Sequence, residues 1–204
     1  MKNHRIVLIG NYPPDRQESM ERFAQMLAQE YDNRGYSTAI WRPRAFFVRT
    51  SKRANRGINK WLGYLDKWII YPLVLALRSR GKRDTTFHIC DHSNAPYLGV
   101  LPRKKTVVTC HDVLAIRGAL GFKDAHCEAS GMGKVLQQYI RYFLVRAQKI
   151  ACVSGFTLRQ LRDLAPARTT EDGDWKVIYN AFNARFYPMP TEEKAAGTHL
   201  ATYG

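Results

Sequence analysis

Apolar positions in this 204-residue chain alternate between two spacings. Compact runs recur: "RIVLIG" closing at Gly10, "YSTAIW" from Tyr36 to Trp41, "TTFHIC" from Thr85 to Cys90, "KTVVTC" from Lys105 to Cys110, "KIACVS" from Lys149 to Ser154, and "WKVIYN" from Trp175 to Asn180. Short apolar runs bounded by turn residues predict strands buried on both faces. Between them the spacing becomes helical. Met20, Phe23, Ala24, Leu27 and Tyr31 fall at i, i+3, i+4, i+7 and i+11, one stripe that Gly35 ends. Asp15 with Glu18 three residues on resembles a capping box for that helix, and Ser19 is a competing cap. Asn59 to Arg80 predicts a helix rich in Trp, Tyr and Leu, bent near Pro72. Ser130 to Gln148 predicts another, with Leu136, Ile140, Phe143, Leu144 and Ala147 on one face, and Gly155 to Leu164 a short last one. Six strands alternating with helices predict an α/β fold, a Rossmann-like doubly wound parallel sheet.

Composition narrows the class. A hydrophobic content of 45% belongs to a globular chain. The longest nearly uncharged apolar run, Trp68 to Leu77, is shorter than the roughly 20 residues a spanning helix needs. The opening "MKNHRIVLIG" lacks the pattern of an export signal. Cys90, Cys110, Cys127 and Cys152 form no CxxC pair, and three of them sit in strand runs, where cysteine acts as a small hydrophobe. They read as reduced and cytosolic.

The charge is concentrated. Arg42 to Arg83 holds twelve Lys or Arg against the single acid Asp66, a balance of +11 out of the chain's +15. A focused positive segment suits an anionic partner: nucleic acid, a phospholipid surface or a phosphorylated substrate. A solvated basic face is the plain alternative.

A parallel sheet takes its ligands at the carboxyl ends of its strands. Polar residues that a packed core does not need gather there: Asp91 and His92 after the third strand, His111 and Asp112 after the fourth, Ser154 and Gly155 after the fifth, Asn180 after the sixth. An imidazole at such an edge can donate to a hydroxyl or phosphate oxygen, or simply tie down a loop. Ser154 leads straight into a helix, where it serves as a cap or as part of an anion site. The loop from Asp15 to Ser19 has the same two readings. "CEASGMGKV" departs from a phosphate-binding loop at Glu128 and Val135, and "GNYPPD" is no dinucleotide fingerprint. A zinc site from His88, Cys90, His92, Cys110 and His111 is disfavoured, because alternation sends Cys110 and His111 to opposite faces.

The pieces "VLIGNYPPDRQESMERFAQML", "FHICDHSNA", "VVTCHDVL", "KIACVSGFTLRQLRDL" and "VIYNAFNARFYP", in this order, resemble the N-terminal, acceptor-binding domain of glycosyltransferase family 4. These are retaining enzymes of the two-Rossmann-domain GT-B fold. The resemblance covers roughly residues 4 to 188. It implies a domain over residues 1–187 with a basic insertion at 42–83, and a linker at 188–204 toward a donor-binding domain that the chain does not include. It further implies a hexosyltransferase-type enzyme moving a sugar from a nucleotide-sugar to an acceptor hydroxyl, with no cofactor or metal, and inactive in this fragment alone. His111 matches the family's histidine that contacts the transferred sugar. Ser154 and Thr157 match its S-x-x-T at a helix start. Asn180 matches the asparagine of its Asn-Gly turn, with Ala181 in place of glycine. The loop from Asn11 to Ser19, including Asp15 and Gln17, stands where the family has a glycine-rich acceptor loop. Asp91, His92 and Asp112 complete the expected substrate set. The family's pair of glutamates eight positions apart is absent.

The resemblance also gives the basic segment a partner. Family members that glycosylate lipid carriers dock on the inner membrane face through a basic, aromatic part of this domain. Lys60, Trp61, Lys67, Trp68, Arg78, Arg80, Lys82 and Arg83 are the candidate patch, on a cytoplasmic, peripheral protein. The alternative is a non-enzymatic Rossmann-like module that binds nucleic acid through the same patch, with no recognised nucleic-acid motif to support it.

Overall fold

The computed structural model describes residues 4–47, 58–82, 84–125, 127, 129–165 and 174–180, with residues 58–60 as backbone only. The Lys60 side chain, Arg83, residues 48–57 of the basic segment and the tail from residue 181 lie outside the described residues.

The apolar runs form six parallel strands: β1 Arg5–Ile9, β2 Ser37–Trp41, β3 Thr85–Ile89, β4 Thr106–Cys110, β5 Lys149–Cys152 and β6 Asp174–Val177, in the order β2-β1-β3-β4-β5-β6. Every pairing is parallel, so every carboxyl end lies at one edge. The chain first crosses from β1 to β2, then back past β1 to β3. That reversal is the topological switch point of a doubly wound sheet.

The helices divide between the faces. α1 (Glu18–Asn33) covers one, where Ala24, Phe23 and Leu27 meet Ile6, Leu8 and Cys90. Gly35 adopts φ +80 and lets the chain turn into β2, as the sequence predicts. The larger core is on the other face. It joins Val7, Ile9, Phe87, Ile89, Val108 and Ile150 to α3 (Tyr71–Ser79), a 3-10 segment at His92–Gly99, α4 (Leu114–Ala119), α5 (Gly131–Leu144) and α6 (Gly155–Leu164). Cys90, Cys110 and Cys152 are buried in these layers, and Cys127 is exposed.

Two expectations are corrected, and two features are added. First, no side chain caps α1: its N-cap is Gln17, without a capping hydrogen bond. Pro13–Asp15 make a 3-10 turn, and the Asp15 carboxylate is held by the Lys67 ammonium at 2.6 Å. A largely buried ion pair holds that carboxylate away from the helix start. Second, α5 ends at Leu144, not Gln148. Third, α4 is too short to show periodicity, and the sequence reading missed it. Fourth, the bend near Pro72 is a widened turn. Between α2 (Ile58–Leu65) and α3, residues Asp66–Ile70 run as π-helix, and the Tyr71 amide donates to the Asp66 carbonyl. Proline has no amide to donate, and its ring crowds the carbonyl four residues back, so one wider turn relieves both problems.

Candidate functional site

Register alone assembles the site. Ile9 pairs with Ile89, so Asn11 and Asp91, each two residues on, leave the sheet at one level across the switch point. Ile89 pairs with Val108, which brings Cys110 to that level and His111 one residue beyond it. Cys110 pairs with Cys152, so the β5 exit at Ser154 follows directly.

Asn11 is the hub of the switch point. Its Nδ2 donates to Asp91 Oδ2 at 2.7 Å and to Gln17 Oε1, and its Oδ1 accepts from Asn94 Nδ2 at 2.6 Å. Both amide protons are engaged within the protein. Asp91 is equally occupied, accepting from the Ser93 amide at 3.0 Å and the Ser93 hydroxyl at 2.7 Å. Burial would raise its pKa, but the neighbouring His92 imidazole and these hydrogen bonds outweigh it and hold the carboxyl below the usual range. His92 Nδ1 stands 3.2 Å from Asp91 Oδ1 without the alignment of a hydrogen bond.

His111 is held differently. Its Nε2 lies 3.0 Å from the Cys90 carbonyl, an acceptor only, so Nε2 carries the proton. Phe23 meets the ring edge-on at 4.8 Å. Nδ1 makes no hydrogen bond among the described residues, and in the neutral ring it is the acceptor nitrogen. The ring lines a cavity of about 690 Å³ shared with Arg16, Gln17, Ser19, His92 and Asp112. An acceptor nitrogen in a polar cleft suits a hydroxyl donor, such as a sugar. Asp112, which also lines this cavity, uses Oδ1 to accept the Leu114 amide at 3.1 Å, which anchors the loop and leaves Oδ2 without a partner among the described residues.

The S-x-x-T pair turns inward. Ser154 Oγ accepts the Thr157 amide at 3.0 Å and caps α6, and Thr157 Oγ1 donates to the His111 carbonyl at 3.2 Å. With that proton committed, Ser154 donates its own to Thr157 Oγ1 across 3.0 Å. The two hydroxyls form one chain ending on the backbone of His111.

A family model described as Glycosyltransferase Family 4 matches residues 20–186. The chain belongs to glycosyltransferase family 4. Neither a curated protein nor a solved structure matches it. The Rossmann-like sheet is of the kind that builds one half of a GT-B enzyme.

In this family-4 domain the expected residues separate into groups. His111, Gln17, Ser19, Asp91, His92 and Asp112 line one cavity. Asn11 and Gln17 line a neighbouring one. Asp15 lines neither of the two and pairs with Lys67. Ser154 and Thr157 clamp the His111 loop from behind, and Asn180 is exposed beyond β6. Among the described residues no three His, Cys, Asp or Glu side chains converge on a metal position.

Two residues escaped the sequence reading. Asp66, the lone acid of the basic segment, is buried and accepts from the Tyr12 hydroxyl at 2.8 Å and from the Phe46 and Phe47 amides at 3.2 and 3.3 Å. Its isolation among cations was the available signal. Arg16 lines both cavities and has the left-handed backbone usually left to glycine.

The candidate patch also divides. Lys67 is held by Asp15, and Trp68 packs on Tyr97 and Tyr139. Arg78 lies 4.1 Å over the Trp41 ring. Trp61, Ile69, Leu73 and Leu77 instead form the outer ridge, with 58%, 53%, 60% and 63% of their surface exposed. No helix among the described residues is long and apolar enough to cross a membrane.

Proposed function

We propose that this edge is the acceptor-side wall of a retaining transferase that moves a sugar from a nucleotide-sugar to an acceptor hydroxyl. Family membership supports glycosyl transfer in general. The observation that carries the finer reading is the orientation of His111, whose Nε2–H is tied to the Cys90 carbonyl while the residue lines the cavity with Nδ1 unbonded among the described residues. In this role His111 accepts a hydrogen bond from a hydroxyl of the transferred sugar and orients it, with no covalent bond to the sugar. Asp112 and Gln17 offer further oxygens for sugar or acceptor hydroxyls. The donor is a nucleotide-sugar used without a metal or other cofactor, and the acceptor a glycan or lipid-linked sugar.

The test is turnover of the full-length protein with a nucleotide-sugar donor. His111→Ala removes one hydrogen bond to a positioned substrate and is expected to lower kcat/KM by about tenfold to a hundredfold. Unchanged turnover would remove His111 from the reaction.

The same reading gives the protein a membrane-peripheral acceptor. Its support is the ridge of Trp61, Ile69, Leu73 and Leu77 along one helix, with Arg78 and Arg80 at its end. Apolar side chains beside cations suit the headgroup boundary of an anionic bilayer.

A further inference from the structure

A second cavity, of about 720 Å³, opens beside the first and shares Arg16, Gln17 and Glu18 with it. Three arginines line it, Arg16, Arg22 and Arg42, with two glutamates, Glu18 and Glu21. Arg22 reaches Glu18 at 3.3 Å. Arg42 forms a two-pronged contact with Glu21, through Nε at 2.9 Å and through Nη2. Arg16 has no carboxylate partner among the described residues, so the cavity keeps one uncompensated positive charge.

The backbone at Arg16 makes this choice of residue informative. Its φ of 53° and ψ of 38° are left-handed, and it is the one non-glycine at positive φ among the described residues. Its amide donates to the Pro13 carbonyl and its carbonyl accepts from the Glu18 amide, each at 3.0 Å, which fixes the conformation. Glycine or asparagine would occupy that conformation with less strain. The fold therefore holds a strained residue whose charged end it does not use.

We propose that Arg16 is a phosphate-binding residue: the acceptor bears a phosphate that lies in the arginine-lined cavity while its reacting hydroxyl lies beside His111. The inference rests on the reading of this edge as the acceptor site. A guanidinium fork matches two phosphate oxygens, and Arg16 is the arginine of this cavity whose charge no carboxylate offsets among the described residues. The shared wall formed by Arg16, Gln17 and Glu18, whose carboxylate is engaged by Arg22, sets phosphate and hydroxyl on adjoining cavities.

Binding of inorganic phosphate to the chain, titrated calorimetrically at constant ionic strength, tests this directly. Arg16→Asn is expected to weaken binding by about tenfold or more, as for the loss of a charge-assisted hydrogen bond. Arg16→Lys should weaken it less. Arg103→Asn, the same charge change at an exposed site away from the cavities, should leave it unchanged. Arg16→Asn and Arg16→Gly should also melt no lower than the wild type, because both suit the left-handed backbone. Two further arms distinguish the source of the phosphate. A soluble acceptor shows as Arg16-dependent binding of glycerol 3-phosphate. A lipid acceptor shows as Arg16-dependent retention on phosphatidylcholine vesicles doped with phosphatidic acid. Equal phosphate binding by wild type and Arg16→Asn, equal weakening by Arg103→Asn, or acetate binding as well as phosphate would overturn the proposal. His111→Ala should lose turnover and keep phosphate affinity, so failure of the transfer reading and failure of the phosphate site give different results.

Discussion

A threonine hydroxyl fixes where the His111 carbonyl points. Thr157 is buried, lines neither of the two cavities and reaches the site through the His111 carbonyl it holds. Thr157→Val keeps the shape and removes the proton that the carbonyl accepts. A net loss of about 1 kcal/mol in stability is expected. As a positioning residue, Thr157 should also change kcat more than KM, and Thr157→Ser should restore it. A variant that melts earlier at unchanged kcat would make the clamp merely structural. His88 gives a pH effect at the same scale. It is fully buried, with Nε2 at 2.7 Å from the Thr109 hydroxyl, and burial lowers its pKa from 6.5 to about 4. Below pH 6.5 the unfolded chain takes up a proton that the folded chain refuses, so stability falls as the solution is acidified. The slope from this group is about 1.4 kcal/mol per pH unit and levels off near pH 4. Melting temperatures between pH 7.5 and 4.5 should show it, and His88→Asn should flatten it.

At the scale of elements, Asp66 joins three segments. The π-turn that Pro72 requires begins at this residue, whose carboxylate takes the Tyr12 hydroxyl and the Phe46 and Phe47 amides. Asp66→Ala leaves those donors without an acceptor and should destabilise the domain by about 3 kcal/mol, read from the urea midpoint. Tyr12→Phe, which removes one donor and its need together, should cost less. These elements also show what a sequence reveals. All six strands and the three longer predicted helices were legible because burial writes its period into each segment. The caps, the π-turn and α4 were not, because they depend on partners distant in the chain: Asp15 is drawn from a helix start by Lys67, fifty-two positions away. The site was half legible for the same reason. Strand ends point to His111, Asp112 and Ser154 by topology alone. Nothing local tells that Asn11 and Asp91 satisfy each other, or that Thr157 turns inward.

Across the whole molecule, positive charge and exposed apolar surface occur along one helix, and that coincidence can be tested physically. Co-sedimentation with vesicles containing phosphatidylglycerol should retain the chain at low salt. Leu73→Asp with Leu77→Asp should release it, since both side chains are exposed and neither joins the core. Reversal of Arg78 and Arg80 to Glu should weaken retention and its salt dependence. Retention of the double leucine variant at the wild-type level, or competition by duplex DNA, would count against a lipid surface and for a nucleic-acid role.

The placement of the cysteines has a practical consequence. Burial pushes the Cys90 thiol up to about 12, and Cys110 and Cys152 face each other inside the sheet. Cys127 alone is exposed. A maleimide dye added to the native chain should therefore attach at one position, and three further sites should open only on denaturation. The wild-type protein thus carries its own single-site spectroscopic handle, and the number of thiols labelled reports how much of it is folded.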